Sequence, residues 1–241
     1  MAALLPLTSP LLVRAHDDAA LDAILADALL VRALILDLAG APEGEKAAAR
    51  AGAARALANR SGAQSVIVRV NALSSGHIEA DLAALAPLAP DGVLLDSHGG
   101  DDAQHVSVKL KLHEAEAGLV VGSIGLIACV GASAALFRLG SYRGATQRLR
   151  ALTWSARDLT KDVGAQGYLE DGALSGPMSL ARNLTLFAAA AARVCALDGP
   201  YEKLDDLDGL QRICMAAKRD GFAGKIALSL AQMRVIEAAF E

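Results

Sequence analysis

Cysteine is scarce and poorly spaced for building structure. Cys129, Cys195 and Cys214 are odd in number, sit in apolar or helical surroundings and include no close pair. That excludes a disulfide framework and a thiolate zinc site, and it gives the expectation of reduced core thiols in a cytoplasmic protein. Basic runs are absent too. The 23 Lys and Arg residues are scattered, none clusters beside aromatic residues, and the net charge is -4, so the chain carries no electrostatic footprint for nucleic acid. The opening MAALLPLTSPLLV has neither a basic segment ahead of its apolar residues nor a small-residue cleavage site, and is not expected to act as a signal peptide. No GxGxxG or GxxxxGKS follows the first apolar run, which removes the glycine loops that cradle dinucleotides and triphosphates.

What is present is apolar. Of 241 residues, 54% are hydrophobic and 21% charged, enough to bury one large core, and a single domain over 1–241 is expected. The run from Ala117 to Phe137 carries no charge, and Gly118 and Gly122 give it a GxxxG spacing. Four glycines, two serines and the lack of an aromatic or basic belt argue against a membrane span. A loop, a buried strand and a helix start are expected there instead.

Short apolar runs alternate with alanine-rich amphipathic stretches along the chain. Strands are predicted over 10–13, 33–38, 65–70, 92–95, 125–130, 151–153, 194–197 and 225–228. The clearest helices fall over 17–29, 45–59, 101–117, 177–192, 204–219 and 231–240. Strands apolar on both faces and separated by helices require a parallel sheet covered by its crossovers. Eight such units in a chain of this length predict an α/β (β/α)8 TIM barrel, with an open doubly wound sheet as the alternative.

In a barrel, chemistry sits just beyond the C-terminal ends of the strands. The tip residues are Asp37, Arg69 and Asn71, Asp96 and His98, Arg157 and Asp158, Asp198 and Ser229, with nothing ionisable after the fifth strand. Ser133, in Gly131-Ala132-Ser133, imitates a nucleophile elbow, but His16, His77, His98, His105 and His113 all precede it, whereas that fold places its base after the serine. Schiff-base chemistry needs a lysine at a tip, and only Lys161 lies in a suitable loop. Asp96, His98, Asp101 and His105 could be drawn as a transition-metal site, but their spacing matches no strong motif. A magnesium ion, which uses one or two carboxylates plus substrate oxygens, could take Asp158 and Asp37, with Arg69 holding a carboxylate or thioester oxygen through its forked donors.

The blocks "ALILDLAGAPEGEKAAAR", "VIVRVNAL", "APDGVLL", "ALTWSARDLTKDVGA" and "DGPYEKLDDLDGLQRICMAAKRDGFAGKIALSLAQMRVIEAAF" occur in the order in which the citrate lyase beta-subunit-like branch of the HpcH/HpaI aldolase family carries its own. The chain resembles that family over nearly its whole length. The resemblance implies a (β/α)8 barrel acting on a carbon–carbon bond beside a short acyl-CoA thioester, with magnesium stabilising the enolate. It implies that Arg69 binds substrate, with Asn71 beside it, that Asp37 takes a catalytic part, and that Asp158 is one of two metal carboxylates. The second metal ligand, a glutamate in the family, falls on Gly131. Ala39 and Gly40 stand in place of two acids, Ser97 of a lysine and Ser229 of a histidine, and "VRAH" replaces the glycine-rich loop after the first strand. The family's C-terminal helical lid is expected to be missing.

The expectation is therefore a barrel of carbon–carbon lyase descent that takes a short acyl-CoA or oxoacid at a depleted magnesium site, with weak or lost catalysis. The alternatives are an active lyase with a rearranged magnesium site and a non-catalytic partner subunit of a hetero-oligomer. A homo-oligomer or partner subunit is expected, without membrane or nucleic-acid binding.

Overall fold

Alternation with a period of two decides where each strand residue goes, because successive side chains on a strand point to opposite faces. The computed structural model describes residues 7–26, 31–60, 63–170 and 172–241. In it β1 (Leu11–Arg14) leads to α1 (Asp18–Ala26), β2 (Ala33–Asp37) to α2 (Lys46–Ala58), and β3 (Ser65–Val70) to α3 (Ile78–Leu85). β4 (Gly92–Asp96) leads to α4 (Gly100–Glu116), β5 (Gly125–Val130) to α5 (Ser133–Leu136), and β6 (Leu149–Trp154) to α6 (Ala156–Asp162). A short antiparallel pair, β7 (Leu169–Glu170) and β8 (Ala173–Leu174), precedes α7 (Gly176–Ala192). The remaining elements are β9 (Cys195–Asp198), α8 (Leu207–Asp220), β10 (Gly224–Lys225) and α9 (Leu230–Phe240).

Eight strands pair in the order β1-β2-β3-β4-β5-β6-β9-β10, and all pairs are parallel. A parallel bridge between Leu11 and Ala227 closes the ring. Three 2.9 Å bonds fasten the seam, from Leu12 N to Ala227 O, Ala227 N to Pro10 O and Lys225 N to Thr8 O. Closure leaves no sheet edge exposed. The chain is thus the expected (β/α)8 barrel.

Two hydrophobic layers follow from the alternation. Ile35, Ile67, Leu94, Ile127, Cys129, Ala151, Leu197 and Ile226 fill the inside of the barrel. Their neighbours along the strands, such as Leu34, Leu36, Val66, Val68, Val93 and Leu95, turn outward into a larger core beneath the helices. The inner parity carries straight on to the mouth. Asp37 follows Ile35, Arg69 follows Ile67, Asp96 follows Leu94, and Gly131 follows Cys129.

The predicted elements match in order and differ at their ends. The predicted eighth strand, 225–228, pairs regularly only over Gly224–Lys225 and continues as the isolated bridge at Ala227. α8 starts at Leu207 and not at 204, because Asp206 caps it through a 2.8 Å bond from Gly209 N to its Oδ1. The first helix ends at Ala26 among the described residues, and its predicted end, 27–29, lies outside them. α3, α5 and α6 are too short to give a strong helical period and so are not among the clearest predicted helices, although a helix start was expected at α5.

The uncharged run from Ala117 to Phe137 breaks as expected. It forms a turn with Gly118 and Gly122 at positive φ (69° and 92°), then β5, then α5. No helix among the described residues is long and apolar enough to cross a membrane. What holds that turn is a buried ion pair. Glu114 of α4 is fully buried, accepts 2.8 Å bonds from the backbone N of Gly122 and Ile124, and faces Arg148 in a two-bond fork of 2.7 and 2.5 Å. A second buried cluster closes the far side of the ring. Asp198 accepts from Trp154 Nε1 at 2.7 Å, Lys225 Nζ at 3.1 Å and Arg182 Nε at 3.3 Å, tying β6, β9, β10 and α7 together.

Replacing Glu114 by Gln leaves Arg148 buried without a counter-charge and should cost about 3–5 kcal/mol, the usual penalty for breaking a buried pair. Urea denaturation reads this directly, and a loss below about 1 kcal/mol would show that the pair is dispensable. Both carboxyls also make stability depend on acid. Burial pushes each up, but Arg148 and the backbone donors outweigh it for Glu114, as Lys225 and Arg182 do for Asp198, so each lies below its ordinary value of 4.5 or 3.8. The unfolded chain then takes up protons first as pH falls. Stability should be full above about pH 5 and drop progressively below it. A urea midpoint that stays level from pH 5 to pH 3 would contradict this.

Candidate functional site at the barrel mouth

A cavity of about 730 Å³ opens at the C-terminal end of the strands. Leu94, Cys129, Thr153 and Ile226 line it from the barrel interior, and Arg69 and Asp37 lie at its rim. Arg14, His16 and Asp17 from the β1 tip, Ser155 and Arg157 at the start of α6, and Glu202 and Ser229 from later tips complete the polar part of the wall.

Arg69 is the centre of charge. Its side chain is 11% exposed and lies among three carboxylates: Asp96 Oδ2 at 2.8 Å from Nη2, Asp158 Oδ2 at 3.6 Å from Nη2, and Asp37 Oδ2 at 3.5 Å from Nη1. Burial works against its charge, but Asp96 and Asp37 outweigh burial and raise its pKa, so the guanidinium stays ionised. Among the described residues its Nε has no hydrogen-bond partner, nor do Oδ1 of Asp96 and the hydroxyl of the fully buried Thr153. Three buried polar atoms thus stand unsatisfied on β3, β4 and β6 near the mouth, a pattern that calls for a polar guest such as water or a ligand.

Each carboxylate is held by its own local structure. Asp37 accepts Gly40 N at 3.0 Å. A Cβ at position 40 would lie 2.5 Å from Asp37 Oδ2, so the glycine is what lets Asp37 swing toward Arg69. Asp158 sits in the first turn of α6, where Ser155 caps the helix by accepting Asp158 N at 3.2 Å and donates its hydroxyl to Asp158 Oδ2 at 2.7 Å. Arg157 Nε lies 3.6 Å from Asp158 Oδ1.

Gly131 answers what faces Asp158. A Cβ there would find Asp158 Cβ at 3.4 Å, Asp158 Oδ2 at 3.8 Å and Ser155 Cβ at 3.9 Å, all ordinary contacts. A side chain at 131 would therefore lie directly alongside the Asp158 carboxylate, and no backbone strain reserves the position for glycine. The carboxylate that the family resemblance gives to a metal is already in use. Asp158 is engaged by a hydroxyl and approached by two guanidinium groups, and no cluster of three His, Cys, Asp or Glu suited to a metal exists among the described residues.

Other tip residues have structural partners. Asn71 does not line the cavity. It is 4% exposed, donates from its backbone N and Nδ2 to Asp81 Oδ2 at 2.9 and 2.7 Å, and accepts Lys46 Nζ at 2.6 Å. Ser97 is buried, donates to Gly99 O at 2.9 Å and accepts the Tyr142 hydroxyl at 3.0 Å, and burial pushes that phenol up to about 12. Ser229 lines the cavity but caps α9, accepting Gln232 N at 3.2 Å. Asp198 is consumed by the buried cluster already described. Ser133 N donates to Asp162 Oδ2 at 2.6 Å. His98 pairs with Asp102 and Asp101 with Arg138, so the drawn site from Asp96 to His105 does not assemble. Cys129 and Thr153 escaped the sequence reading because they lie inside strands, short of the tips. Inner parity was the signal that could have found them.

The model of the HpcH/HpaI aldolase/citrate lyase family matches residues 15–229. The citrate lyase subunit beta of Leuconostoc mesenteroides subsp. cremoris is 26% identical over 180 residues, covering 74% of this chain and 58% of that protein. A (3S)-malyl-CoA thioesterase of Cereibacter sphaeroides is 30% identical over 174 residues, covering 72% of this chain and 56% of that one. The chain thus spans little more than half the length of these relatives. Among solved structures, the citrate lyase beta subunit of Mycobacterium tuberculosis complexed with oxaloacetate and magnesium superposes with a TM-score of 0.81 at 24% identity, over 97% of this chain and 96% of that one. The same organism's CitE protein in complex with magnesium, acetoacetate and coenzyme A gives 0.81 at 23% identity over 97% and 80%. At these identities the superpositions speak for the fold, and the family match over most of the barrel carries the assignment: the chain belongs to the HpcH/HpaI aldolase/citrate lyase family.

Proposed function

We propose that the chain binds a short acyl-CoA or oxoacid in the mouth of its barrel, at a site descended from a magnesium-dependent carbon–carbon lyase, with that chemistry weak or lost. Arg69 is the residue that meets the ligand's oxygens, Asp37 flanks it, and Asp158 is the surviving metal-type carboxylate. The observation that carries this reading is the open flank of Gly131. It lies against Asp158 with room for a side chain, yet supplies no charge. Magnesium is bound by fixed anionic oxygens around a dehydrated ion, and water can replace an oxygen but not its charge. Ser97 and Ser229, where the family resemblance expects a lysine and a histidine, supply no cation or imidazole, and both are engaged in hydrogen bonds of the scaffold.

The nearness of Asp96 and Asp37 to the same guanidinium favours a second reading, in which these acids replace the missing ligand in a rearranged metal site. The two readings part on turnover. Under the first, the purified protein cleaves malyl-CoA or citryl-CoA far below the usual enzymatic range of about 1–1,000 s⁻¹. Ordinary rates in magnesium, abolished by Asp158→Ala, would establish the second. A companion experiment tests the position itself. Gly131→Glu should tighten magnesium binding at least about tenfold by calorimetry, worth about 1.4 kcal/mol, with Gly131→Ala as the control that adds a side chain without charge. Equal affinities in the two variants would mean that position 131 does not face the ion site.

A further inference from the structure

The family resemblance gives Arg69 a role but says nothing of Asp96, and Asp96 is the closest partner Arg69 has. Its Oδ2 accepts a 2.8 Å hydrogen bond from Nη2, whereas Asp37 and Asp158 stand at 3.5 and 3.6 Å. A guanidinium recognises a carboxylate best through two parallel N–H donors. Here the Nη2 edge already faces one carboxylate at bonding distance and a second just beyond it. With Arg157 Nε 3.6 Å from Asp158, the local balance is three carboxylates against two guanidiniums, so a free carboxylate arriving at Arg69 still meets a surplus of its own sign in a partly dehydrated space.

We propose that Asp96 is a specificity-determining residue, an internal carboxylate that takes the edge of Arg69 a ligand's free carboxylate would otherwise use, so that the mouth selects an uncharged acyl group over an oxoacid anion. The inference rests on the reading of this mouth as the ligand site and narrows its ligand class. What the site still offers suits a neutral carbonyl. Arg69, its side chain 11% exposed, and the fully buried Thr153 both line the cavity, and each keeps a donor without a partner among the described residues, Nε in one and the hydroxyl in the other. A carbonyl oxygen of a thioester, ester or amide accepts such donors without adding charge. The Leu94 and Ile226 side chains in the same cavity suit the carbon chain of such a group.

Pyruvate and pyruvamide test this, because they share size and the keto group and differ by one negative charge. With the full-length protein, in buffer free of divalent ions, ligand-observed NMR titration should give a wild-type affinity for pyruvamide equal to or above that for pyruvate. Asp96→Asn keeps the shape and removes the charge. It should tighten pyruvate about tenfold and leave pyruvamide within about threefold, the size expected when one like charge at contact range is removed. A wild-type preference for pyruvate of about tenfold or more overturns the proposal without recourse to any variant. So does an Asp96→Asn protein that melts as the wild type does and gains nothing for pyruvate, or failure of both probes to bind either protein. Should the Asn variant not fold, Asp96→Ser carries the same expectation. Acetyl-CoA, titrated alongside, separates this proposal from the one it rests on. If the wild type binds the thioester yet prefers pyruvate to pyruvamide, the mouth remains the ligand site and only the role of Asp96 is lost.

Discussion

A single buried guanidinium at the end of β3 organises the mouth of this barrel. Arg69 can sit there because three strand tips deliver carboxylates to it, and without them its desolvation would be uncompensated. The barrel makes the delivery automatic. In a closed parallel ring every strand ends at the same rim, and the side-chain period of two fixes which residue points inward there. The parity that buries Ile35, Ile67 and Leu94 in the interior also turns Asp37, Arg69 and Asp96 inward, with Asp37 the register partner of Arg69 and Asp96 two residues beyond its other partner, Leu94. The scaffold and the site are one construction read at two depths.

The same construction lets charges in the mouth vary without disturbing the fold. Gly131 continues the inner parity of β5, so a missing side chain there empties a place in the mouth and removes nothing from either hydrophobic layer. Gly40 likewise stands over Asp37 and not over the core. Substitutions at such positions alter charge and leave buried apolar area intact, so they act on chemistry with little effect on folding. The ion pairs that do support folding, Glu114 with Arg148 and Asp198 with Lys225 and Arg182, lie away from the cavity lining. Polar residues therefore divide into two sets, one fastening the ring and one facing its mouth.

The division was only partly visible in the order of residues. Asp37, Arg69 and Asp158 could be read as tip residues because each lies at or within a few residues of the end of an apolar run. Asn71 and Asp198 looked the same by that rule, and the structure places both in buried networks, with Asp81 and Lys46 for one and Trp154, Arg182 and Lys225 for the other. Nothing local distinguishes the two outcomes. What decides them is whether a neighbouring helix brings a complementary charge to the tip, as α3 brings Asp81 to Asn71. Asp96, too, stood among the tips only as a ligand of a drawn metal set that does not assemble, until its distance to Arg69 was known.

The sequence by itself determined a parallel sheet covered by helices, favoured the barrel over an open doubly wound sheet by its count of eight units, and determined which acids and bases end those strands. It determined also that no acid stands at position 131, because identity needs no coordinates. Only the tertiary structure decided that Asp37, Asp96 and Asp158 share one guanidinium, that Asn71 is turned away from the cavity, and that Gly131 lies against Asp158. Charges separated by tens of residues interact through distance, and distance across the mouth is set by closure of the ring, which no local stretch of sequence contains.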